Sequence, residues 1–109
     1  MNQPTQEQIG LSEIHVEMVK SRILYDSEFN LMDEIYLKYY KITYNNEINN
    51  KNYYGTRIEK ISNNKIIEFE ESGIISENLS SIDRIINMLQ IGKVTPFVMN
   101  EIIDEILSE

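Results

Sequence analysis

The chain reads as an α+β domain, an antiparallel sheet of three or four strands with a C-terminal helical hairpin packed on one face. Extended segments rich in Ile and Tyr, both strand-favouring types, fill the chain as far as Glu71. Asn-rich breaks at Asn45–Asn52 and Asn63–Asn64 divide them as hairpin connections would. From Leu79 onward the apolar residues recur every three or four positions instead of every two, which marks the change from strand to helix. At 109 residues there is room for one domain and one core.

Residues 1–12 read as a flexible N-terminal arm and 13–109 as the single domain. From Glu13 to Tyr25 the chain alternates, with Ile14, Val16 and Met18 on one side and His15, Glu17 and Val19 on the other; this predicts a strand, with a helix as the alternative. Asp26–Asn30 reads as a turn. Met32 to Tyr44 is the second strand, with Ile35, Leu37 and Tyr39 on one face and Tyr36, Tyr40, Ile42 and Tyr44 on the other. Neither face is polar, which places this strand centrally. After the polar loop Asn45–Asn52, a third strand runs from Tyr53 to Ile61. Asn tolerates positive φ, so Asn63–Asn64 suits a tight type I′ hairpin into a fourth strand, Lys65–Glu71. There Ile67 and Phe69 are expected to face the core, and Glu68 and Glu70 to face water.

Leu79, Ile82, Ile85, Ile86 and Leu89 form one apolar helix face. Ser76 or Ser80 would supply the N-cap oxygen, and Gly92 stands where a left-handed residue would end the helix. Thr95 is the expected N-cap of a second helix, with Pro96 at its first position, where the missing N–H costs nothing. Val94 and Met99 have the spacing of a hydrophobic staple. Met99, Ile102, Ile103 and Ile106 form its buried stripe, and Asn100, Glu101, Asp104, Glu105 and Ser108 its wet one.

The composition is rich in Ile and Asn while Ala, Cys and Trp are absent, as codon bias in an AT-rich genome produces. Without cysteine there is no disulfide framework and no thiolate metal site. No apolar run approaches the roughly 20 residues of a membrane-spanning helix, and residues 1–12 lack the pattern of a secretory signal or transit peptide. A bacterial cytoplasmic location is therefore expected. The net charge is −8, from 18 acidic and 10 basic residues, and the basic ones are scattered. Binding to phosphate backbones or anionic membranes needs a basic face, so direct nucleic-acid and membrane partners are disfavoured.

The stretch from YKITY through YYGTRIEKISNNKIIEFEESGIIS to LSSIDRIINMLQIGKVTPFVMNEIIDEIL resembles a family of short clostridial proteins of unknown function. The resemblance covers about residues 35–108 and rests on Tyr54–Gly55, Ser76–Glu77 and Val94–Thr95–Pro96. The Asn-rich loop at 45–52 and residues 1–30 depart from it. The resemblance implies a shared fold and a bacterial origin, and it carries no catalytic residue.

His15 is the only histidine; flanked by Glu13 and Glu17 and with no nucleophile motif elsewhere, it reads as a surface or edge-strand residue. The carboxylates at Glu68, Glu70 and Glu71 and at Glu101, Asp104 and Glu105 have no metal-ligand spacing and read as solvated faces. No catalytic residue, metal site or cofactor is expected. The tyrosines are the stronger signal, because Tyr36, Tyr40 and Tyr44 share a strand face that a helical layer on the other side would leave uncovered. Tyr is enriched at protein interfaces, although cross-strand pairs stiffening a small sheet explain it equally well. The last helix carries acidic residues against its own macrodipole, which suits a basic partner as well as solubility.

These features point to a non-enzymatic acidic regulator or adaptor that binds another bacterial protein. Inhibitors, antidotes, counter-defence factors and recombinase or sigma-factor accessories belong to this class. Its contacts would come from Tyr36, Tyr40, Tyr44, Glu101, Asp104 and Glu105, and its partner would have a basic surface; a homodimer stays open. The alternative is a small-molecule or nucleotide sensor with a pocket between sheet and helices. A compact carboxylate hydrolase comes third.

Overall fold

The computed structural model describes residues 11–25 and 35–108, with side chains at 14–21 and 35–108. Four strands, β1 (Leu11–Tyr25), β2 (Ile35–Asn46), β3 (Lys51–Ser62) and β4 (Lys65–Glu71), precede two helices, α1 (Leu79–Ile91) and α2 (Pro96–Leu107). The strands form one antiparallel meander in the order β1-β2-β3-β4. The α+β fold expected from the sequence is thus present, with four strands and both helices on the sheet. The segment 13–25 is strand, not helix. Of the arm expected at 1–12, residues 1–10 lie outside the described residues, as does the turn expected at Asp26–Asn30, while Leu11 and Ser12 belong to β1.

The helices cover one sheet face, α1 over β2 and β3 and α2 over β3 and β4. Parity follows from single contacts. Tyr39 donates its hydroxyl to the Val94 carbonyl in the connection between the helices, at 3.2 Å. Lys41 reaches Asp83 on α1 at 3.4 Å. Leu37, Tyr39 and Lys41 therefore stand on the helix side, and Tyr36, Lys38, Tyr40, Ile42 and Tyr44 on the other, open side. Through the β2–β3 register the open side continues into Tyr53, Gly55, Arg57, Glu59 and Ile61.

The core joins Leu37, Tyr39 and Ile58 of the sheet to Ile82, Ile85, Ile86 and Leu89 of α1, Val94 of the connection, and Met99, Ile103 and Ile106 of α2. Ile102 is only partly buried and Leu79 is exposed, so each helix is turned slightly from its expected face.

Strand β4 departs most from expectation. Ile67 and Phe69, expected in the core, are each 54% exposed. Phe69 pairs with Glu59 on the open side and lies 4.1 Å beneath the Arg57 guanidinium, while Glu70 faces the helices and accepts a hydrogen bond from Asn100 of α2 at 3.1 Å. An irregularity at Lys60 and Ile61 shifts the register, so that Ile66, not Ile67, opposes Ile61.

Turn chemistry held where the residue type dictated it. Asn63 and Asn64 both take positive φ, 58° and 62°, as a type I′ connection requires. The Asn-rich loop is shorter than expected: β2 runs on to Asn46 and β3 starts at Lys51, with the turn closed at Asn50, φ 54°. The N-cap of α1 is Asn78, neither Ser76 nor Ser80; its side chain accepts from the Ser81 N–H at 3.0 Å, and the Ser80 hydroxyl donates to it at 2.6 Å. Gly92 does not turn left-handed. It is the αR C-cap, and Lys93 takes the positive φ of 51°. The Val94 N–H bonds to the Leu89 carbonyl and the Lys93 N–H to that of Gln90, the two bonds of a Schellman ending. Thr95 has the extended N-cap backbone, with Pro96 following, and makes no side-chain cap bond.

Candidate functional site

The open sheet face is built around a polar cluster. Arg57 on β3 donates through Nε to Glu59 and through Nη1 to Glu71 of β4, both at 2.8 Å, and stacks on Phe69. Tyr40 of β2, directly opposite Arg57, donates its hydroxyl to the second oxygen of Glu59 at 2.8 Å. Glu59 is buried, and these two donors satisfy both of its carboxylate oxygens. Burial and the neighbouring Glu59 carboxylate push the Tyr40 phenol up to about 12. Tyr44 is raised too, by burial first and by Glu71 second. Partial burial opposes the Arg57 charge, but its bonds to Glu59 and Glu71 outweigh that and hold the guanidinium above its ordinary value.

Apolar groups surround the cluster. Tyr36, Tyr44 and Tyr53 are half-buried. On β1, Ile14 pairs with Tyr44, Val16 with Ile42 and Met18 with Tyr40, so all three join the open face, and each is exposed. On β4, Ile66 and Phe69 are exposed at the other side. An open groove of about 460 Å³ runs along Arg57, Ile66, Ile67, Glu68 and Phe69. Tyr36, Tyr40 and Tyr44 thus share one face, as their spacing predicts.

Glu101, Asp104 and Glu105 are exposed on α2, on the far side of the sheet from the three tyrosines. The structure therefore separates the two groups of candidate residues into two surfaces. The α2 surface holds a residue that sequence reading missed. Phe97 is 85% exposed, one turn before Glu101 and two before Asp104. The signal was present, because position 97 falls off the Met99–Ile103–Ile106 stripe. Arg57, Glu59 and Phe69 were missed for another reason: their association is across strands, and no spacing within one segment reveals it.

His15 lies on exposed β1, beside a groove of about 330 Å³ lined also by Thr43, Asn45 and Asn52. Among the described residues no three His, Cys, Asp or Glu side chains gather as metal ligands, and no helix is long and apolar enough to cross a membrane. The core side chains pack between sheet and helices, and these two grooves lie on the surface.

A family model described as a family of unknown function (DUF6514) matches residues 19–109. The chain belongs to that family. Neither the curated proteins nor the solved structures give a match. The DUF6514 match takes in all six candidate contact residues. It also takes in the punctuation noted in the sequence, where Tyr54 and Ser76 form an isolated bridge, the Tyr54 N–H donating to the Ser76 carbonyl at 2.7 Å.

Proposed function

We propose that this protein is a non-enzymatic regulator or adaptor of the bacterial cytoplasm, of clostridial type, that binds another protein with a basic surface. The observation that carries the reading is the outward face of α2. Phe97 stands almost free of its own fold, with Asn100, Glu101, Asp104 and Glu105 following along an exposed face and no basic residue on the helix. A ring so exposed gains little for the monomer and gives a partner a large anchor, while the carboxylates steer basic groups toward it. Tyr36, Tyr40 and Tyr44 supply a second contact surface on the opposite face of the sheet, separate from the one that meets the basic partner.

The test compares baits in host lysate. Wild-type chain is expected to retain a basic protein that Phe97→Ala and the triple reversal of Glu101, Asp104 and Glu105 to Lys both fail to retain. Kinetics with that protein should then divide the two effects. Charge reversal slows association, whereas Phe97→Ala speeds dissociation about tenfold or more, the equivalent of about 1.4 kcal/mol. Equal retention by all three baits would overturn the reading.

A further inference from the structure

We propose that the open face of the sheet is where two copies of this chain meet, packed face to face as the two sheets of a β-sandwich. The inference concerns the side of the molecule opposite Phe97 and stands independently of the α2 reading.

Three properties of the face select a second copy as its occupant. The first is its apolar content. Ile14 is 59%, Val16 49% and Met18 51% exposed on β1, and Phe69 is 54% exposed on β4, with the half-buried tyrosines between them. Monomers rarely leave so broad an apolar surface to water.

Charge is the second property. The chain carries −8, and two copies repel each other over most of their surface. Across β2, β3 and β4 the open face holds Lys38, Lys51, Arg57, Glu59 and Glu71, three basic and two acidic, and Lys51 pairs with Glu77 at 3.6 Å. Arg57 already bonds to both Glu59 and Glu71. Acidic residues lie instead on the helix side: Glu70 against α2, Asp83 on α1, and Glu101, Asp104 and Glu105 on α2. A strongly acidic copy approaches another most easily across a surface without excess negative charge, and this face is such a surface. A basic partner, by contrast, finds no excess acid here.

Size is the third. Four strands about 4.8 Å apart, each contributing about ten residues at about 3.4 Å, present roughly 650 Å² per copy. Adding the side-chain relief brings this close to the ~800 Å² per partner of a standard stable interface. Two such sheets pack with about 10 Å between them, interleaving their inner side chains. The arrangement leaves both α2 surfaces outward, so the dimer presents Phe97 and its carboxylates twice.

Sedimentation equilibrium of the full chain tests this directly. At about 100 µM wild-type protein is expected at twice the chain mass of 12.9 kDa, dissociating on dilution. Val16→Glu and Phe69→Glu change positions that are already half exposed, so each should stay folded by circular dichroism and raise the dimer dissociation constant about tenfold or more. Phe97→Ala should leave that constant unchanged, which separates this interface from the α2 surface. Should charge at Val16 or Phe69 unfold the chain, the milder Val16→Thr and Phe69→Ser carry the same expectation at smaller size. A wild-type chain that stays monomeric at about 100 µM, or a dimer that folded open-face variants leave intact, overturns the proposal. The second outcome would point to edge-to-edge pairing instead.

Discussion

Gly55 has no room for a side chain. It is buried in the middle of β3, and a Cβ there would overlap the carbonyl oxygen of Gly73, where the chain leaving β4 runs on beside β3. That path is fixed by backbone bonds, with the Ser72 N–H donating to the Thr56 carbonyl at 3.0 Å and the Ile75 N–H to that of Tyr54 at 2.8 Å. The obstacle is main chain, which cannot swing aside, so Gly55→Ala should cost at least about 2 kcal/mol in urea denaturation. Tyr40 offers a test of electrostatics. A phenol raised to about 12 keeps its proton in the folded chain at pH values where the unfolded chain, near 10, has lost it. The stability it contributes is present below pH 10 and is lost as pH rises through 12. Tyr40→Phe should therefore flatten the fall of stability across that window and remove a phenol that ionises at about 12 from an ultraviolet titration.

At the scale of the element, the ending of α1 conflicts with its residue types. Lys93 occupies the left-handed position of the Schellman motif, while the glycine one place earlier is right-handed. A side chain in that region costs roughly 1–2 kcal/mol, partly offset by the greater unfolded-state freedom of glycine. Lys93→Gly should thus raise stability by about 0.5–1 kcal/mol in thermal or urea denaturation. In α2 the buried stripe runs through Met99, Ile103 and Ile106, with Ile102 at its margin. Truncation separates the two isoleucines: Ile103→Ala should cost about 2–5 kcal/mol, as cavity-forming changes in cores do, and Ile102→Ala clearly less. Equal costs would mean that the helix is turned otherwise on the sheet.

For the whole molecule, the helices divide the sheet unevenly. They rest on β2, β3 and β4, and β1 is held by its ladder to β2 with the side chains from Ile14 to Ser21 exposed on both faces. Backbone pairing without burial gives low local stability. In native-state hydrogen exchange at dilute concentration, β1 amides should exchange at least about tenfold faster than those of β3, whose protection should approach that of global unfolding. Uniform protection across the sheet would place β1 in the cooperative core. The uneven cover is also what leaves one face of the sheet apolar and open while the acidic charge gathers on the other side.

The sequence by itself determined what local chemistry controls. Two adjacent asparagines specify the turn between β3 and β4, since few other residue types accept positive φ twice in succession. The change of apolar period specifies where strands stop and helices begin, and Pro96 marks the first position of α2. It likewise placed Tyr36, Tyr40 and Tyr44 on one strand face. Only the tertiary structure decided which face of each element is covered. Ile66, Ile67 and Phe69 alternate imperfectly with glutamates, and a period of two read across apolar residues on both sides carries no phase. The irregularity at Lys60–Ile61 and the stacking of Arg57 on Phe69 supplied that phase. The separation of the tyrosines from Glu101, Asp104 and Glu105 was equally out of reach of the sequence, because it follows from helices that pack on one side of a sheet through contacts tens of residues apart.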